Sequence, residues 1–428
     1  MNILSRFIDF ISFHSRYLLL TPHYRSFGDS AEQIYFGLLY CYEKEKKLVL
    51  VSPYERFFSK KINVANIFLY QLEHELIYRP PLFIECFLRS VMTFLVGIAF
   101  LNTRVRKLIA TVFNLPSDFY ASIDRSYSSY PAFGRKFLYS FSENVTYTKE
   151  KWFDLEDQFV PLALPKELEE KSLKFLSFNA PESLTKPWIV LHVLDNTKIN
   201  YARGANIENF LESIKYLAGE GYHIFRIGND SMPKVHEYGL TDLAHINHEK
   251  YLDLYLINKA ILLIGTQSGP AYSTNLFNTS LLTTNLIEWS TAIPRKKGDL
   301  FINKIFYEND TKDRLSLSNL LTRDFNFQIN VDGIKGRDIV LEDNCSEDIL
   351  EALKEQLTAI KQGITMSEEQ KDFLSAKEGW LKTNLLENKD LKIHYAPTNH
   401  EEFTRIRSIA LSSTRGVPSK SYLKKYWR

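Results

Sequence analysis

The sequence has few cysteines, almost no excess of charge of either sign and no apolar run long enough to cross a bilayer. Cys41, Cys86 and Cys345 are its three cysteines, far apart and without a CxxC pair or a Cys/His cluster. That excludes a disulfide framework and a structural zinc centre, and fits a reducing compartment. The 53 basic side chains nearly cancel the 51 acidic ones, so no global field draws the chain to nucleic acid. No Asp-x-Asp, internal repeat or low-complexity tract occurs. The opening MNILSRFIDFISF breaks its apolar patches with Arg6 and Asp9 and offers no small-residue cleavage site. No signal peptide is expected, and the location is cytoplasmic.

The longest apolar stretch, SVMTFLVGIAFL from Ser90 to Leu101, is short of the roughly 20 residues a spanning helix needs. Arg89 precedes it and Arg104, Arg106 and Lys107 follow. Two readings stay open: a buried helix, or a helix lying against membrane with its arginines near lipid headgroups.

What is present is alternation. A chain of 428 residues with 45% hydrophobic side chains can fill two cores. RYLLLTP (Arg16 to Pro22) reads as a strand, DSAEQIYFGLLYCYEKEKK (Asp29 to Lys47) as a helix and LVLVSP (Leu48 to Pro53) as the next strand, which makes a βαβ unit. A turn-rich, charged stretch between about 156 and 187 marks a boundary. Beyond it, WIVLHV, YHIFRIG, ILLIGT and SLLTTN alternate with the helical segments NIENFLESIKYLAGEG, YLDLYLINKA and PAYSTNLFN, the pattern of a doubly wound parallel sheet. Arg295 to Val331 reads as a polar stretch, and SEDILEALKEQLTAIKQG as a helix capped by Ser346. The expected division is an α/β domain over 1–160, a second α/β domain over 161–365, and a helical extension, 366–428, packing back on the first.

In such a sheet ligands bind beyond the carboxyl ends of the strands, where helix starts point amide hydrogens into the crevice. ILLIGT runs there into Gly265, Thr266, Gln267, Ser268 and Gly269, with Pro270 suited to a first helical position. LHVLDN ends the preceding strand with His192 and Asp195, RIGND ends another with Arg226, Gly228 and Asp230, and Arg203 lies in the intervening loop. Arg226 is either an anion ligand or the partner of Asp230 or Asp253, since a guanidinium in an apolar strand demands a counter-charge. His192 is either catalytic or a core histidine, and Arg203 either a phosphate ligand or a solvated charge. In the first half, TPHYRSFGDSAEQ offers His23 and Asp29. Asp29 is either a helix cap or a general base for an acceptor hydroxyl.

The block from Trp188 to Asn285 resembles the glycosyltransferases of bacterial surface-polysaccharide clusters, which have the GT-B architecture; more remotely it is similar to fucosyltransferase-like enzymes. The resemblance implies two Rossmann-like domains facing a cleft and transfer of a hexosyl or related sugar from a nucleotide sugar to a glycan or lipid-linked oligosaccharide, as in lipopolysaccharide or capsule synthesis. It implies donor binding by Arg203, Arg226, Gly228 and Gly265 to Gly269, catalysis by Asp29, His23 and His192, no metal or other cofactor, no nucleic-acid partner, and a peripheral contact with the inner membrane face. Where the related pattern has an arginine two places after the histidine, this chain has Leu194. A nucleotide-sugar epimerase of the same architecture and a catalytically silent glycan-assembly protein remain the alternatives.

Overall fold

The computed structural model describes residues 16–20, 22, 26–58, 60–98, 153–195, 202–287, 293–322, 339–386 and 414–428. The chain divides into two compact units between Pro165 and Lys166.

In the first unit, β1 (Tyr17–Leu20) leads into α1 (Phe27–Glu43) and returns as β2 (Lys47–Leu50). The two strands pair in parallel, Tyr17 opposite Lys47 through Leu20 opposite Leu50, so the expected βαβ unit forms. The apolar positions of α1 explain its docking: Ile34, Phe36, Leu38, Leu39 and Cys41 are all buried. Its cap is Ser26, whose hydroxyl accepts a hydrogen bond from the Asp29 amide at 3.3 Å. Asp29 is therefore not the cap. It lies in the first turn, where its negative charge suits the positive helix end. A hairpin of β3 (Arg56–Phe57) and β4 (Lys60–Lys61) precedes α2 (Leu82–Ile98). The apolar run begun at Ser90 continues α2 to Ile98, and residues 99–101 lie outside the described residues. No helix among the described residues is long and apolar enough to cross a membrane.

The second unit opens with α3 (Lys166–Asn179) and continues β5 (Trp188–His192), α4 (Leu211–Gly219), β6 (His223–Arg226), β7 (Leu240–Asp242), α5 (Tyr251–Lys259), β8 (Leu262–Gly265), α6 (Gly269–Phe277), β9 (Ser280–Leu286) and β10 (Leu300–Asn303). Next come β11 (Ile305–Glu308), β12 (Arg314–Leu315), α7 (Leu317–Thr322), β13 (Ile339–Glu342), α8 (Ser346–Gln362), α9 (Glu368–Leu386), β14 (Val417–Pro418) and α10 (Lys420–Tyr426). One seven-stranded sheet runs in the order β14-β10-β9-β8-β5-β6-β7, parallel throughout. The strands are short, nearly unbroken apolar runs, as a sheet covered on both faces requires: all five residues of β5 and all four of β6, β8 and β10 are buried. One group of helices packs α5 against α3, α6 and β5; another packs α8 against α4, β9 and β10. The α/β class with a large parallel sheet is as expected.

Two expectations are corrected. The stretch read as polar holds β10, an inner strand of the sheet, together with β11, β12 and α7; LFIN is only four residues long and sits between charged neighbours, which hides its apolar run. The cap of α8 is Cys345, with Ser346 its first helical residue. The described tail belongs to the second unit. There β14 pairs with β10, and Tyr422, Leu423 and Trp427 are buried. Phe373 meets Phe301 and Trp427 edge to face, and the Tyr422 hydroxyl donates to Asn303 O at 2.8 Å. The tail so covers a β10 edge that would otherwise expose unpaired backbone groups.

Candidate functional site

The sheet order places the site. From β5 the chain runs outward to β6 and β7, then crosses back to β8 on the other side of β5 and outward again to β9 and β10. The carboxyl ends of β5 and β8 therefore flank the topological switch point, where open α/β sheets leave a crevice. His192 ends β5 opposite Gly265, which ends β8.

These ends are joined by a compact hydrogen-bond set. The Thr266 amide donates to His192 O at 3.1 Å, and Thr266 Oγ1 accepts from the Leu194 amide at 3.0 Å. His192 Nδ1 lies 2.8 Å from Ser268 Oγ. A Cβ on Gly265 would stand 2.4 Å from His192 O, so this glycine permits the close approach of two strand ends, not of a ligand. His192 is buried, and desolvation, followed by the positive charge of Arg226, lowers its pKa to about 4. The imidazole is neutral at pH 7.

Ser268 is the N-cap residue of α6, yet its side chain makes no cap bond because it is turned to His192. The first-turn amides of α6 lack that side-chain cap, while Pro270 lies in the first turn, where a missing N–H costs nothing. Gln267, Ser268, Tyr272, Asn275, Thr283 and Arg295 are among the residues around a cavity of about 20 Å³, room for a single water. The buried Thr283 Oγ1 has no partner among the described residues and could bind it.

The two arginines differ. Arg226 is 1% exposed, and its Nη1 donates to Asp242 Oδ2 at 2.8 Å and to Pro233 O at 2.6 Å. Asp242 is its register partner on β7, so the counter-charge is neither Asp230 nor Asp253. Arg226 shares a sheet row with Leu191 and Ile264, one residue out of phase with His192 and Gly265, and strand alternation directs it to the opposite face. Its guanidinium is engaged by Asp242 and Pro233 O. At Gly228 a Cβ would lie 2.4 Å from Met232 Sδ, and the residue lines an open groove with Asp230, Lys234 and His245. Arg203 follows Ala202 in the loop after β5, half-buried, with a buried Nε that has no partner among the described residues. Its loop is tied back by the Ala205 amide, which donates to Leu194 O at 2.9 Å. Leu194 thus links Arg203's loop to Thr266.

No family model and no curated sequence matches the chain. Among solved structures, ADP-heptose lps heptosyltransferase II of E. coli is similar at 10% identity over 62% of this chain and 83% of that one, with a TM-score of 0.36. The glycosyl transferase family 9 protein from Veillonella parvula DSM 2008 gives 11% identity, 62% and 79% coverage and a TM-score of 0.36. E. coli heptosyltransferase WaaC with ADP gives 10%, 67% and 90%, and 0.32.

The structure therefore brings together His192, Arg203's loop and the segment Gly265 to Gly269, whereas Arg226 pairs with Asp242 and Gly228 lines the open groove. Asp29 belongs to the first unit, and His23 lies outside the described residues. Sequence reasoning missed the groove of about 380 Å³ that Gly228 shares with Asp230, Lys234, His245, Asn247 and His248. Burial lowers the pKa of His248, but its 2.9 Å hydrogen bond and ion pairing with Asp253 outweigh this and raise it. The three histidines His236, His245 and His248 within this short stretch were the available signal.

Proposed function

We propose that this chain is a glycosyltransferase of GT-B type, which binds a nucleotide-diphosphate sugar in its second unit and transfers the sugar to a glycan or lipid-linked acceptor of surface-polysaccharide synthesis. The observation that carries the reading is Arg203, a partly desolvated guanidinium whose buried Nε lacks a partner, in a loop hydrogen-bonded through Leu194 to the β8–α6 turn. A partly desolvated guanidinium with an unmade hydrogen bond gains from an anionic ligand. At the start of α6, where Pro270 has no N–H and the Ala271 amide donates to Ser268 O at 3.2 Å, the Gly269 amide adds a donor at the same sheet edge.

In transfer, negative charge grows on the departing diphosphate, and preorganised donors that meet it lower the barrier. Arg203 and the Gly269 amide supply them, and no metal is assigned to the step. His192 acts as a positioning residue: neutral and buried, it holds the Ser268 hydroxyl by Nδ1 and keeps it from capping the helix. Thr266, Gln267, Ser268 and Gly269 line the donor site.

Titration calorimetry of the full chain with UDP, GDP, ADP and CDP tests this. At least one should bind, and Arg203→Ala should weaken it by about 1.5–3 kcal/mol, roughly 10- to 150-fold. Failure of all four to bind at millimolar concentration, or unchanged affinity in a folded Arg203→Ala variant, overturns the assignment. Release of an altered nucleotide sugar without acceptor would favour an epimerase.

A further inference from the structure

The loop that carries Arg203 is held at its far end by a carboxylate from a distant part of the chain. The Ala205 amide donates to Leu194 O at 2.9 Å, and the next amide, that of Asn206, donates to Asp343 Oδ2 at 2.9 Å. Asn206 then caps the helical turn Ile207–Phe210, its Oδ1 accepting from the Glu208 amide at 3.1 Å. Asp343 lies between β13 and α8, 137 residues further along the chain.

Asp343 is itself fixed in place. Its Oδ1 accepts from Lys304 Nζ at 2.5 Å, and the Lys304 side chain is only 2% exposed. A buried ammonium demands a counter-charge, so the pair holds the carboxylate in one orientation, with Oδ2 turned to the loop. The neighbouring Asn344 is bound on several sides. Its amide donates to Asn285 Oδ1 at 2.8 Å and its Oδ1 accepts from the Asn285 amide at 2.7 Å. Its Nδ2 donates to Asn303 O at 2.6 Å, and its carbonyl accepts from Asn209 Nδ2 at 2.9 Å. Asn285, Asn303 and Asn344 are wholly buried where β9 and β10 end, and a buried network of this kind rigidifies its surroundings.

We propose that Asp343 is a positioning residue for Arg203. Anchored through Lys304 and Asn344 to the ends of β9 and β10, it fixes the Arg203 loop where the guanidinium meets an anion. It acts through the loop and not on the ligand. A loop ordered beforehand loses less freedom when the ligand arrives, which strengthens binding. The anchor stands on the bonds above, and its use rests on the donor-site reading of Arg203.

Two measurements on the full chain test it. Removing Asp343 alone would strand a buried lysine, so the variant is Asp343→Ala in a Lys304→Met background. Hydrogen exchange at the Asn206 amide should be at least about tenfold faster in this variant than in Lys304→Met, with the amides of β5 unchanged. Calorimetry with whichever of UDP, GDP, ADP and CDP binds the wild type should show affinity about tenfold lower than in Lys304→Met. Where Arg203→Ala is already present, the further loss should be under about twofold, because residues acting through one another are not additive. Asp343→Asn in the same background should restore most of the affinity and the slow exchange, since its carbonyl oxygen still accepts from the Asn206 amide. A residue that only stabilises the fold would lower the melting temperature and show no such coupling. Unchanged exchange at Asn206, unchanged affinity relative to Lys304→Met, or an equal loss with and without Arg203 overturns the proposal. A wild type that binds none of the four nucleotides while the variant exchanges faster overturns the donor-site reading and supports the anchor by itself.

Discussion

Arg203 and Arg226 lie on successive segments of one unit, yet their surroundings assign them opposite tasks. Arg226 is buried against Asp242, which also accepts from the Val235 amide at 3.0 Å. Removing one member of a buried ion pair leaves the other charge uncompensated. Arg226→Ala should therefore destabilise the second unit by about 3–5 kcal/mol in urea unfolding, with nucleotide affinity of the folded fraction unchanged. A stable variant with weakened nucleotide binding would place this arginine in the donor site. That an arginine in HIFRIG needs a counter-charge was legible in the sequence. Which carboxylate supplies it was not, because the pairing depends on β7, a three-residue strand with too little pattern to announce itself.

At the scale of elements, the β8–α6 turn is the working part. At its glycine, Gly265, the space a side chain would take is filled by the backbone of β5. Gly265→Ala should cost about 2–3 kcal/mol or more, because the atom met at 2.4 Å is a backbone carbonyl that cannot rotate away. Thermal unfolding checks this, and a melting temperature equal to wild type would show that β5 and β8 part easily. The alternation of apolar runs with amphipathic helices located β5, β6, β8, β9 and α4 to α6, since a doubly covered sheet demands that pattern. It failed for β10 and β14, whose apolar runs are short and whose pairing joins segments more than 100 residues apart.

For the whole molecule, buried titrating groups couple stability to pH. Burial is the first cause that lowers His192 and His223 to about 4, and burial raises Asp299 to about 6 against the charge of Lys296 and the Leu281 amide. Between pH 6 and 4 the unfolded chain carries protons on both histidines that the native state refuses, while native Asp299 holds one that the unfolded state releases. The difference of one proton makes stability fall on acidification by roughly 1 kcal/mol per pH unit. Urea titrations at pH 7, 6, 5 and 4 should show this slope, and a flat or rising stability would contradict it. The sequence by itself determined that strands and helices alternate, that the second sheet is parallel and that a hydroxyl-rich turn stands at a strand end, because apolar periodicity and turn chemistry are local. Only the tertiary structure decided that the switch point falls between β5 and β8, that Arg226 pairs with Asp242 while the Arg203 Nε has no partner among the described residues, and that the tail completes the second unit. Those outcomes depend on strand order and on the burial of particular charges, and both are set by contacts between residues distant in the chain.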